Sequence, residues 1–281
     1  MTGLSIDEVM ANVRDLPTLP LLVTELISTF GQPDVSIGVL AAKVSNDQAL
    51  TAKTLRLANS SFYGLQSKVR TIEQAITVLG FDSVRALVTS AGVMGYFAGG
   101  KIGFDFAAFW RHAVGTALCA RAIARRRGCN PELAFVSGLL HDIGRLVLAT
   151  GFPALYADVI AHSRANDCDL LDAERLVLGI DHAVVGRALA QHWKFPDPIL
   201  LAIGNHHAPT AADLGDMPSV VHIADAIVHA LDLGGIDQER VPSISQPVWD
   251  SLHLDNAALR TILSHTEGEF GKACEILIAS T

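Results

Sequence analysis

The chain has 281 residues, half of them hydrophobic and 18% charged, which supplies an ample core and excludes a disordered or low-complexity protein. Its 21 Lys and Arg against 29 Asp and Glu give a formal charge of -8, the wrong sign for a non-specific binder of DNA or anionic membranes. Asp7 and Glu8 precede any apolar run, the charge-free stretch Ala86 to Gly100 is too short to span a bilayer, and the four cysteines form no CxxC pair, so a cytoplasmic protein is expected.

Apolar residues recur at three- and four-residue spacing and nothing alternates long enough for a strand, so the predicted class is all-α. Pro20 opens a helix with Leu22, Leu26, Ile27 and Phe30 on its apolar face, stopped by Gly31 and Pro33. Ser36 is the expected N-cap of a helix carrying Val39, Leu40 and Val44. Leu50, Leu55, Leu57 and Ala58 belong to a short helix ended before Gly64. Thr71 and Gln74 have capping-box spacing ahead of Ile76, Val78 and Leu79. Asp82 is expected to cap the next helix, through Val84, Leu87 and Val88. Three glycines within Gly99 to Gly103 predict a boundary between an N-terminal helical lobe, residues 1–100, and a second lobe with a C-terminal helical extension, residues 105–281.

In the second lobe Asp105 caps a long helix to Arg127, with Gly128 in the C-capping position. Asn130 and Pro131 start a helix predicted to run through His141 and Asp142. Further helices are expected over Asp172 to Leu178, His182 to Trp193, Pro198 to His206 and Val220 to Leu233, then a terminal helix with Leu259, Ile262, Phe270 and Leu277. The exposed end of the long helix accounts for the basic run Arg125 to Arg127. Two short helices with Lys53 and Arg56 have helix-turn-helix spacing, but the net charge and missing basic flanks exclude DNA.

The chemistry lies in the eleven histidines. His141-Asp142 is a polar pair inside an apolar run, costly to bury unless something satisfies both side chains, and a metal ion satisfies both. His112, His182, His206-His207 and Asp225 sit on four other predicted helices or helix ends. Together they form a mixed nitrogen and oxygen set suited to iron, manganese, zinc or cobalt, one or two ions. His162, His192, His222, His229, His253 and His265 are expected at the surface or as satisfied core residues, and Cys119 and Cys274 as packing residues.

This order of residues resembles the HD superfamily of metal-dependent phosphohydrolases, and within it the HDOD domain, the HD-related output domain of bacterial signalling proteins. The resemblance spans about residues 14 to 230. It is carried by Leu16-Pro-Thr-Leu-Pro20, Val44-Ser-Asn-Asp47, Leu55-Arg-Leu-Ala-Asn59 through Gly64, and Thr71 through Gly80. In the second half it continues with Phe109-Trp-Arg-His112, Gly138-Leu-Leu-His-Asp-Ile-Gly144, Gly179-Ile-Asp-His182, the Trp193 to Pro198 turn and His206-His207. It implies His112, His141, Asp142 and Asp225 on one metal, with Asp142 bridging to a second held by His182, His206 and His207.

Two departures separate the chain from the cyclic-di-GMP phosphodiesterase branch. His207 is followed by Ala-Pro rather than Gly-Tyr-Pro, and Arg145 stands where that branch has Lys. Arg can hold phosphate but is a poor proton donor near neutral pH. The resemblance therefore implies a regulatory signalling module that senses a phosphorylated ligand and works through signalling proteins in trans. Its alternative is a metal-dependent phosphohydrolase acting on a nucleotide or cyclic dinucleotide, with Asp142 as the catalytic residue.

Overall fold

The computed structural model describes residues 3–14, 19–30, 36–59, 63, 65, 67–97, 104–235 and 240–278. Among them no strand occurs, and the fold is all-α. The expected boundary at Gly99 to Gly103 lies outside the described residues, as does most of the motif beginning at Leu16.

The first part comprises α1 (Ile6–Arg14), α2 (Leu21–Ser28), α3 (Ile37–Asn46), α4 (Gln48–Ala58), α5 (Ile72–Leu79) and α6 (Phe81–Tyr96). Side chains cap α4 and α5, while Ser36 precedes α3 without a side-chain cap bond. Asp47 caps α4 by accepting from the Leu50 amide at 2.9 Å, and Thr71 caps α5 by accepting from the Gln74 amide at 3.2 Å. The capping box is displaced by one residue, because the Gln74 side chain accepts from the Arg70 amide instead of that of Thr71. Asp82 is not a cap: α6 starts two residues earlier than such a cap would place it, after Gly80, and Asp82 pairs with Arg85 at 2.6 Å. Asn59 explains why its motif contains an amide. It donates to the carbonyls of Leu55 and Val69 and accepts from the Val69 amide, stitching the end of α4 to the segment before α5.

The centre of the second part is α7 (Phe106–Arg127), capped by Asp105 and ended by Gly128 in the left-handed conformation. Then follow α8 (Pro131–Leu140), α9 (Ile143–Gly151), α10 (Pro153–Asn166), α11 (Leu170–Leu178), α12 (His182–His192), α13 (Asp197–Asn205), α14 (Met217–Ala230), α15 (Gln246–Ser251) and α16 (Asn256–Leu277). Helix α7 packs against α8, α14 and α16, while α9 packs against α12. Helix α1 docks on α9 and α12, far along the chain, and α6 joins the two parts by packing on α8.

His141 and Asp142 do not lie inside a helix, as the sequence suggests, but at the break between α8 and α9. The His141 ring donates from Nδ1 to the Gly138 carbonyl at 2.7 Å, competing for the acceptor that the Asp142 amide would use to prolong α8. The apolar stretch Pro131–Gly151 is long enough to cross a membrane, but 94% of its most apolar window is buried within the fold.

Candidate metal centre

Glycines bring the relevant backbones together. A Cβ on Gly138 would lie 2.8 Å from the Thr116 carbonyl oxygen and 2.9 Å from Ala117 Cα, so only glycine lets α8 close on α7 here. A Cβ on Gly144 would overlap the His182 carbonyl oxygen and sit 2.7 Å from the Gly186 amide nitrogen. These crossings bring His141 beside His112, and Asp142 beside His182.

All seven expected ligands converge. Asp142 Oδ1 lies 3.1 Å from His182 Nε2, 3.5 Å from His206 Nε2 and 3.6 Å from His141 Nε2. His207 Nε2 is 2.8 Å from His182 Nε2. On the other side Asp225 Oδ1 lies 3.0 Å from His112 Nε2 and 3.6 Å from His141 Nε2, and the His112 and His141 nitrogens are 3.3 Å apart. All seven are buried except His207, which is half-buried.

The surroundings fix which nitrogen faces inward. A carbonyl only accepts, so Nδ1 of His141 donates to Gly138 and Nδ1 of His206 donates to Ile203 at 2.9 Å. His182 Nδ1 donates to Glu174 Oε2 at 2.6 Å, and its backbone amide donates to the same oxygen at 2.8 Å. Each ring is thus held in the orientation that leaves Nε2 towards the cluster, the arrangement that backs metal-ligating histidines. His206 Nε2 and Asp225 Oδ1 are buried without a partner in hydrogen-bond geometry. They lie in different halves of the cluster, and a cation in each half fits these donors. The donor atoms of Asp142, His182, His206 and His207 lie within 4.8 Å of one another, as do those of His112, His141 and Asp142. The cluster can therefore bind metal.

Electrostatics agree. Burial raises the Asp142 carboxyl, but His141, His182 and Arg145 outweigh it and hold the group well below its ordinary range. Burial pushes His182 down, yet Glu174 and Asp142 overcome it and carry the imidazole up to about 10. Burial lowers His112 and His206, and burial with the neighbouring His206 and His182 lowers His207 further.

Because its value is raised to about 10, metal-free His182 is protonated throughout the neutral range and its proton competes with an ion for Nε2. Metal binding near neutral pH is expected to release at least one proton, and apparent affinity to rise with pH. Titration calorimetry in two buffers of different ionisation enthalpy checks this; equal heats in both would contradict it.

Arg145 does not point outward as a phosphate-holding residue would. Its Nη1 donates to Asp142 Oδ2 at 2.9 Å and its Nε lies 3.4 Å from the Tyr156 hydroxyl, which donates to Glu174 Oε1 at 3.1 Å. Arg145, Tyr156 and Glu174 thus form a buried chain of hydrogen bonds from Asp142 to His182. Sequence reasoning missed Glu174, which looks like an ordinary helix-surface carboxylate but is fully buried. His222, expected at the surface or as a satisfied core residue, is the latter: it is buried and donates from Nδ1 to the His206 carbonyl at 2.6 Å. His229, expected among the same unassigned histidines, instead lies 3.3 Å from Asp225 Oδ1.

The HDOD domain model matches residues 16–209, well over half of the chain. The chain belongs to the HDOD family. Its fold has solved counterparts. An HDOD-domain protein of unknown function from Geobacter sulfurreducens is 26% identical with a TM-score of 0.84, covering 98% of this chain and 97% of its own. A candidate phosphohydrolase from Shewanella amazonensis is 32% identical with a TM-score of 0.77, covering 96% of this HDOD chain and 97% of its own. An uncharacterized protein of Treponema pallidum is 26% identical over 238 residues, 82% of this chain, which spans only 45% of that relative's length.

Proposed function

We propose that this HDOD protein is a regulatory signalling module built around two divalent ions. His112, His141 and Asp225 would hold one and His182, His206 and His207 the other, with Asp142 lying between the two sets. Iron, manganese, zinc and cobalt all suit such ligands. The ions supply charge and an anchoring point for the phosphate of a small ligand, and the lobe formed by residues 1–100 passes the state of the centre to a protein partner in trans.

The observation that carries the regulatory reading is the commitment of Arg145. In the position where the phosphodiesterase branch has Lys, the guanidinium is spent on Asp142 Oδ2 at 2.9 Å and is 8% exposed. Arg145 is in this reading a positioning residue that holds the second carboxylate oxygen away from the ions, and it is not the phosphate site expected from sequence. Convergence of all seven ligands favours a second reading, a metal-dependent phosphohydrolase, and so does the 32% identical candidate phosphohydrolase.

Elemental analysis and a hydrolysis assay separate the two. The manganese- or iron-loaded protein is expected to retain two ions per chain and to leave cyclic dinucleotides, nucleotides and a chromogenic phosphodiester intact. Metal-dependent turnover that disappears in Asp142→Ala would establish the enzyme instead.

A further inference from the structure

His229 lies one helical turn after Asp225 on α14, a spacing that puts both side chains on the same face. Its Nε2 is 3.3 Å from Asp225 Oδ1, and its ring stands 4.5 Å from the His112 ring, centroid to centroid. The donor atoms of His112, Asp225 and His229 all lie within 4.8 Å of one another. Around Asp225 Oδ1, which has no partner in hydrogen-bond geometry, three imidazole nitrogens gather: His112 at 3.0 Å, His229 at 3.3 Å and His141 at 3.6 Å. Imidazole nitrogens and a carboxylate oxygen gathered at these separations are donors of the kind a shared cation takes.

We propose that His229 is a further metal ligand, joining His112 and Asp225 at this end of the centre. The inference rests on the two-ion reading above. Its chemical consequence follows from ligand count: one more protein nitrogen at this end leaves one coordination position fewer for water or a ligand.

Cobalt provides the probe, because its visible absorption reports the number and kind of its ligands. Full-length wild type, His229→Gln, His229→Ala and His207→Ala are loaded with cobalt, competed with a chelator and checked for fold by circular dichroism. Wild type is expected to hold two ions. Both His229 variants should bind one of them about tenfold or more weakly, with a changed visible band, while keeping the ion that His207→Ala disturbs. Imidazole added to His229→Ala should restore the band, which a merely packing role would not allow. Wild-type affinity, stoichiometry and spectrum in both His229 variants would overturn the inference alone. A wild-type protein that holds no cobalt would overturn the two-ion reading as well, so the two failures are distinguishable.

Discussion

Gly144→Ala is expected to be among the most damaging single changes in the molecule, although it adds one methyl group. On a free helix the change would stabilise by about 1 kcal/mol, since alanine is the better helix former. Here the added carbon meets backbone on α12, the His182 carbonyl oxygen and the Gly186 amide nitrogen, and neither can rotate away. Prising α9 from α12 costs roughly 3 kcal/mol or more, so the net effect is loss of stability. It also carries His182 away from Asp142, so the ion at that end should be lost with it. Gly268→Ala and Gly271→Ala on α16 are the controls, because a Cβ at either meets nothing within 4 Å. These should hold or raise the melting temperature while Gly144→Ala lowers it by roughly 6 °C or more. Equal melting temperatures for Gly144→Ala and wild type would show that the two helices can separate at no cost.

Asp142→Ala is expected to remove metal from the centre and to destabilise the metal-free protein as well. Asp142 Oδ1 faces three imidazoles and Oδ2 accepts from buried Arg145, so the alanine leaves a buried guanidinium without its carboxylate. Breaking a buried pair from one side costs about 3–5 kcal/mol. The double variant Asp142→Ala with Arg145→Leu separates the two losses. Chemical denaturation should show part of the stability restored, since the stranded charge is gone, while elemental analysis still finds the metal missing. A double variant no more stable than Asp142→Ala would mean that the guanidinium finds other partners. Unchanged metal content in either variant would remove Asp142 from the ligand set.

Much of the centre was legible in the sequence because its ligands fall at helix ends and in polar positions within apolar runs, where an unsatisfied group is too costly to be incidental. His112, His141, Asp142, His182, His206, His207 and Asp225 all stood out in that way. His229 did not, since one more histidine near a helix end reads as surface. The signal that could have found it is its spacing of four from Asp225, which puts it over the same face. Glu174 and Tyr156 were invisible for a different reason: their burial comes from α10 and α11 folding over α9 and α12, and no local pattern records that. Nor was the break at His141 visible, because α8 and α9 are apolar on both sides and neither glycine nor proline separates them. Helix α10 escaped because its exposed and buried residues follow no clear stripe; only Tyr156 and Val159 are fully covered.

His141 and His206 share one local device. Each stands just past the end of its helix, α8 and α13, and each folds its Nδ1 back onto the carbonyl three residues earlier, Gly138 and Ile203. Tautomer and ring orientation are therefore set within four residues of chain, by the same bond that stops the helix. Long-range packing supplies only the distance between rings that are already aimed. An ion entering the centre meets donors with little rotational freedom left to lose, so its affinity reports chiefly how closely α7, α9, α12 and α14 approach one another. A partner or ligand that shifted those helices by a fraction of an ångström would change how tightly the ions are held without touching a single ligand.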